Sequence, residues 1–99
     1  MSIDVEIQDE DGNTISRYDG PALGLPFTRL ASTDSACLRL IVPWGDATFN
    51  QAQIEVLKGE LRVAAKRTED SRRLSELEAL SSFVEGATGV HVYLKFIGD

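Results

Sequence analysis

The stretch between residues 50 and 86 has the apolar spacing of helices, and strand patterns lie on both sides of it. Strands and helices do not alternate along the chain, so the βαβ units of a parallel sheet are not expected. The pattern predicts an α+β fold in which two helices cover one face of a mostly antiparallel four-stranded sheet. The apolar residues recur every three or four positions, as in helices that bury one face: Ile54, Leu57, Leu61, Ala64, Leu74, Leu77, Leu80 and Val84.

The start of the helical stretch carries a capping box. The Asn50 side chain can accept a hydrogen bond from the backbone N–H of Gln53, and the Gln53 side chain can reach back to Asn50. Phe49 and Ile54 occupy the two positions of a hydrophobic staple around this cap. The first helix is therefore predicted over residues 51–66.

A polar joint over residues 67–71 divides the helical stretch. A short polar link favours an antiparallel helix pair, and Gly86 is a natural C-terminal cap for the second helix. The alternative is one long helix through residues 51–85, because residues 60–85 contain neither glycine nor proline. Two helices are the better reading because the joint contains side chains that cap helices: Thr68, Asp70 and Ser71.

Period-two alternation marks strands at both ends of the chain. Residues 2–8 alternate between β-branched and polar side chains, which is typical of a half-buried strand. The DEDGN sequence at 9–13 predicts a hairpin turn, because Gly12 accepts the positive φ that such turns need. Residues 14–18 are the return strand of this hairpin. The same alternation predicts a last strand over residues 90–96.

The third strand is predicted over residues 37–42, CLRLIV, where few side chains are polar, as in a strand buried on both faces. Pro43 ends this strand. The following segment, PWGDATFN at residues 43–50, is interpreted as a loop that leads into the first helix. Within it, the carboxylate of Asp46 is expected to turn toward the N-terminus of that helix.

Length and composition indicate a single globular domain over residues 1–99. Hydrophobic residues make up 42% of the chain, which is ordinary for a folded domain. No apolar run approaches the roughly 20 residues that cross a bilayer, and the first residues lack the basic and apolar stretches of a signal peptide. A single cysteine does not require an oxidising compartment. A cytoplasmic location without membrane association is therefore expected.

Residue types that often carry catalysis or bind metals are sparse. His91 is the only histidine, and it is predicted to lie in mid-strand on the exposed or semi-exposed sheet face. A dyad of His91 with Cys37 is disfavoured, because a thiol at the head of an apolar strand behaves as a small hydrophobe. The acidic run at residues 9–11 lacks the closing glutamate of a calcium loop, since Gly20 occupies that position. No catalytic residue, metal or cofactor is predicted.

The distribution of charge says more about function than the sparse catalytic and metal-binding residue types do. The formal net charge is −6, which argues against nucleic acid as a partner because phosphates are also negative. An acidic surface is instead suited to a basic protein surface. Residues 1–19 hold six carboxylates against one arginine, which indicates an acidic docking face on the hairpin. The simpler explanation is a charged edge that prevents strand-to-strand aggregation.

Trp44 lies in the turn between the predicted third strand and the first helix. A tryptophan in such a turn either plugs the end of the core or anchors a partner, and both functions suit its large apolar ring and its N–H donor. Combining the charge and the tryptophan, the candidate partner-binding residues are Glu10, Asp11, Asp19, Trp44 and Asp46.

Three motifs together resemble a family of small, acidic, uncharacterised bacterial proteins. They are the DEDGN turn at residues 9–13, the PWGDATFN segment at 43–50, and the closing VHVYLKFIGD at 90–99. The resemblance extends over most of the chain, and the family carries no assigned activity. Bacterial proteins of this size and charge are often similar to immunity proteins, which neutralise a toxin by binding it. The analogy implies a binding function.

The sequence therefore predicts a non-enzymatic, immunity-like protein-binding domain that recognises a basic protein partner through an acidic face. The first alternative is a structural or regulatory subunit that self-associates through a sheet edge or through the helix pair. The second is a small enzyme that uses two carboxylates, such as Asp46 with Glu55 or with Asp19. That alternative requires two carboxyl groups in one cleft with separated pKa values.

Overall fold

The computed structural model describes residues 3–23, 35–42 and 44–98. Within them the chain forms strands β1 to β4, helices α1 and α2, and a short 3₁₀ helix. Their bounds are β1 Asp4–Gln8, β2 Thr14–Arg17, the 3₁₀ helix Leu38–Leu40, β3 Ala47–Phe49, α1 Gln51–Arg67, α2 Ser71–Glu85 and β4 Tyr93–Ile97.

The four strands form one sheet in the order β2-β1-β4-β3, and every neighbouring pair is antiparallel. The strands from the two ends of the chain are therefore the central pair, and the two shortest strands are the edges. The predicted α+β fold, an antiparallel sheet with two helices, is confirmed.

One hydrophobic core joins the sheet to the helices. The alternation in β1 and β4 directs every second side chain inward, and the apolar stripes of both helices meet these side chains. Together they exclude water from one face of the sheet, while the polar side chains of the central strands lie on the opposite face. The inward residues include Val5, Ile7, Leu94 and Phe96 from the sheet, and Leu57, Leu61, Leu77 and Leu80 from the helices.

The predicted helix boundaries are confirmed by their caps. Asn50 Oδ1 accepts from the backbone N–H of Gln53 at 2.9 Å, and Gln53 Oε1 accepts from the backbone N–H of Asn50 at 2.9 Å. Asp70 begins α2, where its carboxylate accepts from the backbone N–H of Arg72 at 2.9 Å. The helical stretch is therefore two helices, and the alternative of one continuous helix is wrong.

The predicted third strand at residues 37–42 is wrong. Cys37 and Leu38 are buried, as the apolar sequence indicated, but residues 38–40 form a turn of 3₁₀ helix. The physical reason lies on α1, where the Glu60 carboxylate accepts from the backbone N–H groups of Ala36, Cys37 and Leu38. A side chain thus takes the donors that a strand would offer to a neighbouring strand. Pro43 lies outside the described residues.

The third strand is instead β3, within the segment that was predicted to be a loop. Ala47, Thr48 and Phe49 pair with Phe96, Lys95 and Leu94 of β4. Burial drives this placement, because the ring of Phe49 is only 1% exposed inside the core.

The last strand begins later than predicted, at Tyr93 rather than at residue 90. Gly89 has a φ of +121° and starts a turn that continues through His91. Val90 is 82% exposed in this turn. The apolar alternation of residues 90–96 therefore extends beyond the strand itself, because a turn residue can be apolar without being buried.

Candidate binding surface

One acidic residue of the hairpin turn, Asp9, stabilises the turn through hydrogen bonds to its backbone. Asp9 Oδ1 accepts from the backbone N–H groups of Asn13 at 2.8 Å and of Asp11 at 3.0 Å. These hydrogen bonds, that from Asn13 first, lower the pKa of Asp9 because they favour the charged carboxylate. Gly12 supplies the positive φ, +83°, that closes the turn. Asp9 therefore has a structural role in this turn.

Glu10 contacts the turn that precedes β4. The Nδ1 atom of His91 lies 3.1 Å from Glu10 Oε2, and both side chains are more than half exposed. His91 is exposed as predicted, but it lies in a turn rather than in mid-strand. Asp11 is exposed beside this pair and contacts no cationic side chain of the described residues. This end of the sheet thus offers one uncommitted acidic side chain, Asp11.

Three aspartates lie at the other end of the sheet. Asp4 pairs with Ile97 in the β1–β4 ladder. The N–H of Tyr18 donates to Val5 O at 2.9 Å, so Asp19 lies beside Asp4. We call Asp4, Asp19 and Asp46 the aspartate row; all three side chains are exposed, and none forms an ion pair with another described residue.

Asp46 completes the aspartate row at the β3 edge. It directly precedes β3, and its Oδ1 accepts from the N–H of Gly98 at 3.1 Å. The same N–H also lies 3.1 Å from Gly45 O. The expectation that Asp46 turns toward the N-terminus of α1 is therefore wrong, because its carboxylate fastens the turn before β3 to the chain just after β4.

Trp44 lies directly before Gly45 and Asp46 in the same turn. Its side chain is 68% exposed, so it does not plug the end of the core. The two contacts of Gly98 hold Gly45 and Asp46 next to it. A large aromatic side chain is thus presented to solvent directly before a segment that is hydrogen-bonded to Gly98.

The five candidate residues do not form one face. Glu10 and Asp11 lie at the hairpin-turn end of the sheet, whereas Asp19, Trp44 and Asp46 lie at the end with the aspartate row. The four residue steps of β1 separate these ends by about 14 Å. Sequence order alone does not show this separation: Asp11 and Asp19 both belong to the hairpin, but β2 lies between them and puts them at its opposite ends.

Of the two carboxylate pairs considered for an enzyme, one is widely separated and the other includes a residue that forms an ion pair with a lysine. Asp19 and Asp46 lie on opposite edges of the sheet with two strands between them, a distance of about 14 Å at the usual strand spacing. Glu55 contacts Lys58 Nζ at 3.1 Å. Within the described ranges, no three histidine, cysteine, aspartate or glutamate side chains gather as a metal would need.

Cys37 is engaged in the core. Its thiol is buried and lies 3.6 Å from the carbonyl oxygen of Gln53 on α1. Burial, and then the negative charge of Glu60, raise the pKa of the Cys37 thiol, which keeps it protonated and unreactive at neutral pH. His91 lies in the turn before β4 and contacts Glu10 instead.

Sequence reasoning missed Glu76 on α2. It falls just before Leu77 on the helical pattern, where a charged residue is expected at the boundary of the buried face, yet it is only 9% exposed. Tyr18 packs against the same helix: its phenol donates to Pro21 O at 2.8 Å, and its ring meets Phe83 of α2 edge-to-face with centroids 5.7 Å apart. Burial, then the charges of Glu76 and Asp19, raise the pKa of Tyr18.

Glu6 is the acidic residue most embedded on the open face of the sheet. Its side chain is 14% exposed and accepts hydrogen bonds from Gln8 Nε2 at 2.9 Å and Thr14 Oγ1 at 2.8 Å, with Arg17 Nε at 3.4 Å. The hydrogen bonds from Gln8 and Thr14, followed by weaker attraction to Arg17 and Lys95, hold the pKa of Glu6 below its usual 4.5. Glu6 thus ties β1 to the edge strand β2.

This lowered pKa predicts a pH-dependent contribution to stability. Because the folded pKa lies below the unfolded one, Glu6 stabilises the fold above pH 4.5, and the contribution is lost as the pH falls through the folded pKa. Urea unfolding measured from pH 6 to pH 3 is expected to show a shallower loss of stability in Glu6→Gln than in the unmodified protein. Parallel curves for the two proteins would contradict this assignment.

No helix among the described residues is both long and apolar enough to span a bilayer. Comparison with known proteins adds no relative: no protein-family model, curated protein or solved structure matches this chain.

Proposed function

We propose that this chain is a non-enzymatic protein-binding domain, similar in its mode of action to an immunity protein, and that it recognises a basic protein partner. The binding surface is the end of the sheet that carries the aspartate row and Trp44. The resemblance to small acidic bacterial proteins and a cytoplasmic location belong to the same proposal. The net charge of −6 supports it, because opposite fields accelerate encounter.

The exposed Trp44 carries the proposal. Tryptophan is among the residues that contribute most to protein interfaces, because its ring buries a large area and loses little conformational entropy. A 68% exposed indole on a turn held by Gly45 and Asp46 is already positioned for contact. In this proposal, the aspartate row supplies the polar rim that an interface core needs.

The choice between the two acidic regions follows from their contacts. At the hairpin turn, Asp9 holds the backbone and Glu10 contacts His91. In the aspartate row, only Asp46 is engaged, through one carboxylate oxygen to a backbone N–H. The row therefore leaves more carboxylate oxygens without a hydrogen-bond or ion-pair partner among the described residues than the hairpin turn does.

Substitution of Trp44 tests this function directly. Trp44→Ala is expected to weaken capture of the partner by about 30-fold or more, the effect of losing roughly 2 kcal/mol at an interface hot spot. The measurement is affinity capture from native lysate with mass spectrometry and a salt series. The wild type is expected to recover a basic protein in stoichiometric amount and to lose it as salt rises.

Val90→Ala is the matched control, because Val90 is also a strongly exposed apolar side chain and lies at the hairpin-turn end. It is expected to capture the partner as the wild type does. Recovery of no basic protein, or equal recovery with Trp44→Ala, would reject the proposed function.

A second candidate function is self-association through the β2 edge. All four residues of β2 are exposed, and Ile15 is 59% exposed. An open edge strand is a template for pairing with another chain, although the register irregularity between Ile7 and Gln8 opposite β2 works against long pairing. Size-exclusion chromatography with light scattering decides this candidate, because a monomer across the micromolar range rejects it.

A further inference from the structure

We infer that the free edge of β3 binds an extended segment of the basic partner as an added strand, with a cationic side chain of that segment opposite Asp46. The inference rests on the proposed function and specifies the shape and the charge of the segment that binds. β3 is the last strand in the order β2-β1-β4-β3, so one of its edges has no neighbouring strand among the described residues. The chain enters this edge through the turn that contains Trp44.

The hydrogen bonds between β3 and β4 show which backbone groups face the free edge. Thr48 pairs with Lys95, and in the same register the N–H of Gly98 donates to Gly45 O at 3.1 Å. In an antiparallel ladder, pairs that exchange hydrogen bonds alternate with pairs that do not. Every second residue after Gly45 therefore turns its backbone toward β4. The residues between them, Asp46 and Thr48, turn their N–H and C=O groups to the free edge.

These outward groups are unpaired. No hydrogen bond outside the β4 ladder involves the backbone of Asp46 or Thr48 within the part of the chain that the structure describes. Asn50, the next residue in the alternation, is different because its N–H donates to Gln53 Oε1 at 2.9 Å. Unpaired N–H and C=O groups along a strand edge are the groups that hydrogen-bond an added strand. Four such groups therefore lie between the exposed Trp44 and the cap of α1.

The β2 edge suits an added strand less well. The ladder between β1 and β2 has an irregular register between Ile7 and Gln8, and such an irregularity bends and twists an edge. The ladder between β3 and β4 has no register shift over its three pairs. Because β3 is short, it pairs with only a short segment, and the neighbouring Trp44 supplies apolar contact beside that segment.

The charge at one position of this edge favours a cation. Asp46 accepts the Gly98 N–H through Oδ1, and its Oδ2 has no partner among the described residues. Ile97 pairs with Asp4 on one side, and the register of β3 places Asp46 on its other side. Two strand spacings, about 10 Å, therefore separate the two aspartates. A lysine or an arginine opposite Asp46 is attracted by both.

The position opposite Thr48 requires a side chain without positive charge. Lys95 lies between Thr48 of β3 and Glu6 of β1 in the sheet. Like charges at neighbouring positions of a sheet destabilise strand pairing. The binding segment therefore has a cation opposite Asp46 and, two residues away, a neutral or acidic side chain opposite Thr48.

A second copy of this chain fits the edge less well than a basic partner does. Each copy has a formal net charge of −6, so two copies repel each other as they approach. Pairing of β3 with β3 of a second copy would also place both Asp46 carboxylates in one short ladder. Like charges there oppose the pairing.

The experiment follows amide exchange of ¹⁵N-labelled protein during titration with the capped peptide Val-Lys-Val-Thr-Val, whose β-branched residues favour an extended chain. In the free protein, the amides of Asp46 and Thr48 are expected to exchange faster than those of Ala47 and Phe49. The peptide is expected to slow the exchange at Asp46 and Thr48 in a saturable manner. Glutamate in place of its lysine is expected to weaken binding by about tenfold. Unchanged exchange at both residues in millimolar peptide would overturn the inference.

Thr48→Pro tests the added strand because it removes an outward N–H and leaves the ladder with β4 in place. Proline is tolerated on an edge strand where the N–H faces solvent, and circular dichroism checks that the fold persists. The variant is expected to weaken peptide binding by about tenfold or more. Thr48→Ala keeps the N–H and is the matched control, with an expected change below twofold. Equal affinities of these two variants would overturn the added strand.

The captured basic partner separates this inference from the proposed function. If that partner leaves amide exchange at Asp46 and Thr48 unchanged but is lost by Trp44→Ala, the edge is rejected and the proposed function stands. If no basic protein is captured but the peptide protects both amides, the proposed function is rejected and the edge still binds an extended basic segment. Protection that rises with the concentration of the protein alone would identify a second copy as the occupant and reject the inference.

Discussion

Phe49→Ala is expected to lower the free energy of unfolding by about 3–5 kcal/mol, a typical loss for a fully buried phenylalanine. The Phe49 ring is 1% exposed and meets Phe96 edge-to-face with centroids 5.9 Å apart. It also precedes the Asn50 cap and shares the core with Ile54, the other position of the staple. One truncation therefore weakens the edge strand, the core and the start of α1 together.

Urea unfolding followed by circular dichroism measures this loss. Thr48→Ala is the matched control, because Thr48 is the exposed neighbour in the same short strand. Its effect is expected to stay within about 0.5 kcal/mol, as for most surface substitutions. A loss below about 1 kcal/mol for Phe49→Ala would contradict the placement of this ring in the core.

Glu60→Ala is expected to destabilise the protein by about 3 kcal/mol, because three backbone N–H groups lose one charged acceptor. The Glu60 carboxylate accepts from Cys37 N at 3.0 Å and Leu38 N at 2.8 Å, and also from Ala36 N. These bonds hold the 3₁₀ segment against α1. Glu60→Gln is expected to lose about half as much, since its amide retains one acceptor oxygen but no charge.

The single cysteine gives this prediction a local readout. Cys37 belongs to the segment that Glu60 holds, and its thiol is buried. In native buffer, its reaction with a thiol reagent is expected to be faster in Glu60→Ala than in the wild type, because the segment opens more often. Glu78→Ala, at an exposed position on the other helix, is expected to leave the rate unchanged. A wild-type rate in Glu60→Ala would show that the carboxylate does not hold the segment.

Local signals in the sequence predicted the elements whose causes are themselves local. The Asn50–Gln53 capping box and the Asp70 cap involve side chains within three residues of the N–H groups that they satisfy. The DEDGN turn depends on Gly12 and on the neighbouring Asp9. Such features are determined by adjacent residues and by the allowed φ and ψ angles.

The wrong predictions concern segments whose structure depends on residues that are far away in the chain. Residues 37–42 have the apolar composition of a strand, yet a carboxylate from α1 captures their backbone donors. Ala47–Phe49 has little strand signal of its own, but pairing with β4 and burial of one ring make it a strand. A propensity scale cannot contain these contacts, because it is the fold that brings the segments together.

The candidate binding surface likewise combines features that the sequence determines with features that only the tertiary structure determines. The acidic character of the hairpin and the presence of one tryptophan are properties of the sequence. Tertiary contacts determine which of these carboxylates form hydrogen bonds or ion pairs. Examples are Glu10 with His91 and Asp46 with Gly98, which are far apart in the chain. The exposure of Trp44 and the burial of Glu76 were likewise set by tertiary packing.

The sequence by itself determined the α+β class, the two helices with their caps and the hairpin, because hydrophobic period and capping act within a few residues. Only the tertiary structure decided the strand order, the identity of the third strand and the grouping of Asp4, Asp19 and Asp46 at one end of the sheet. The reason is that burial and strand register couple residues across the whole chain, and these couplings leave no pattern in any one segment.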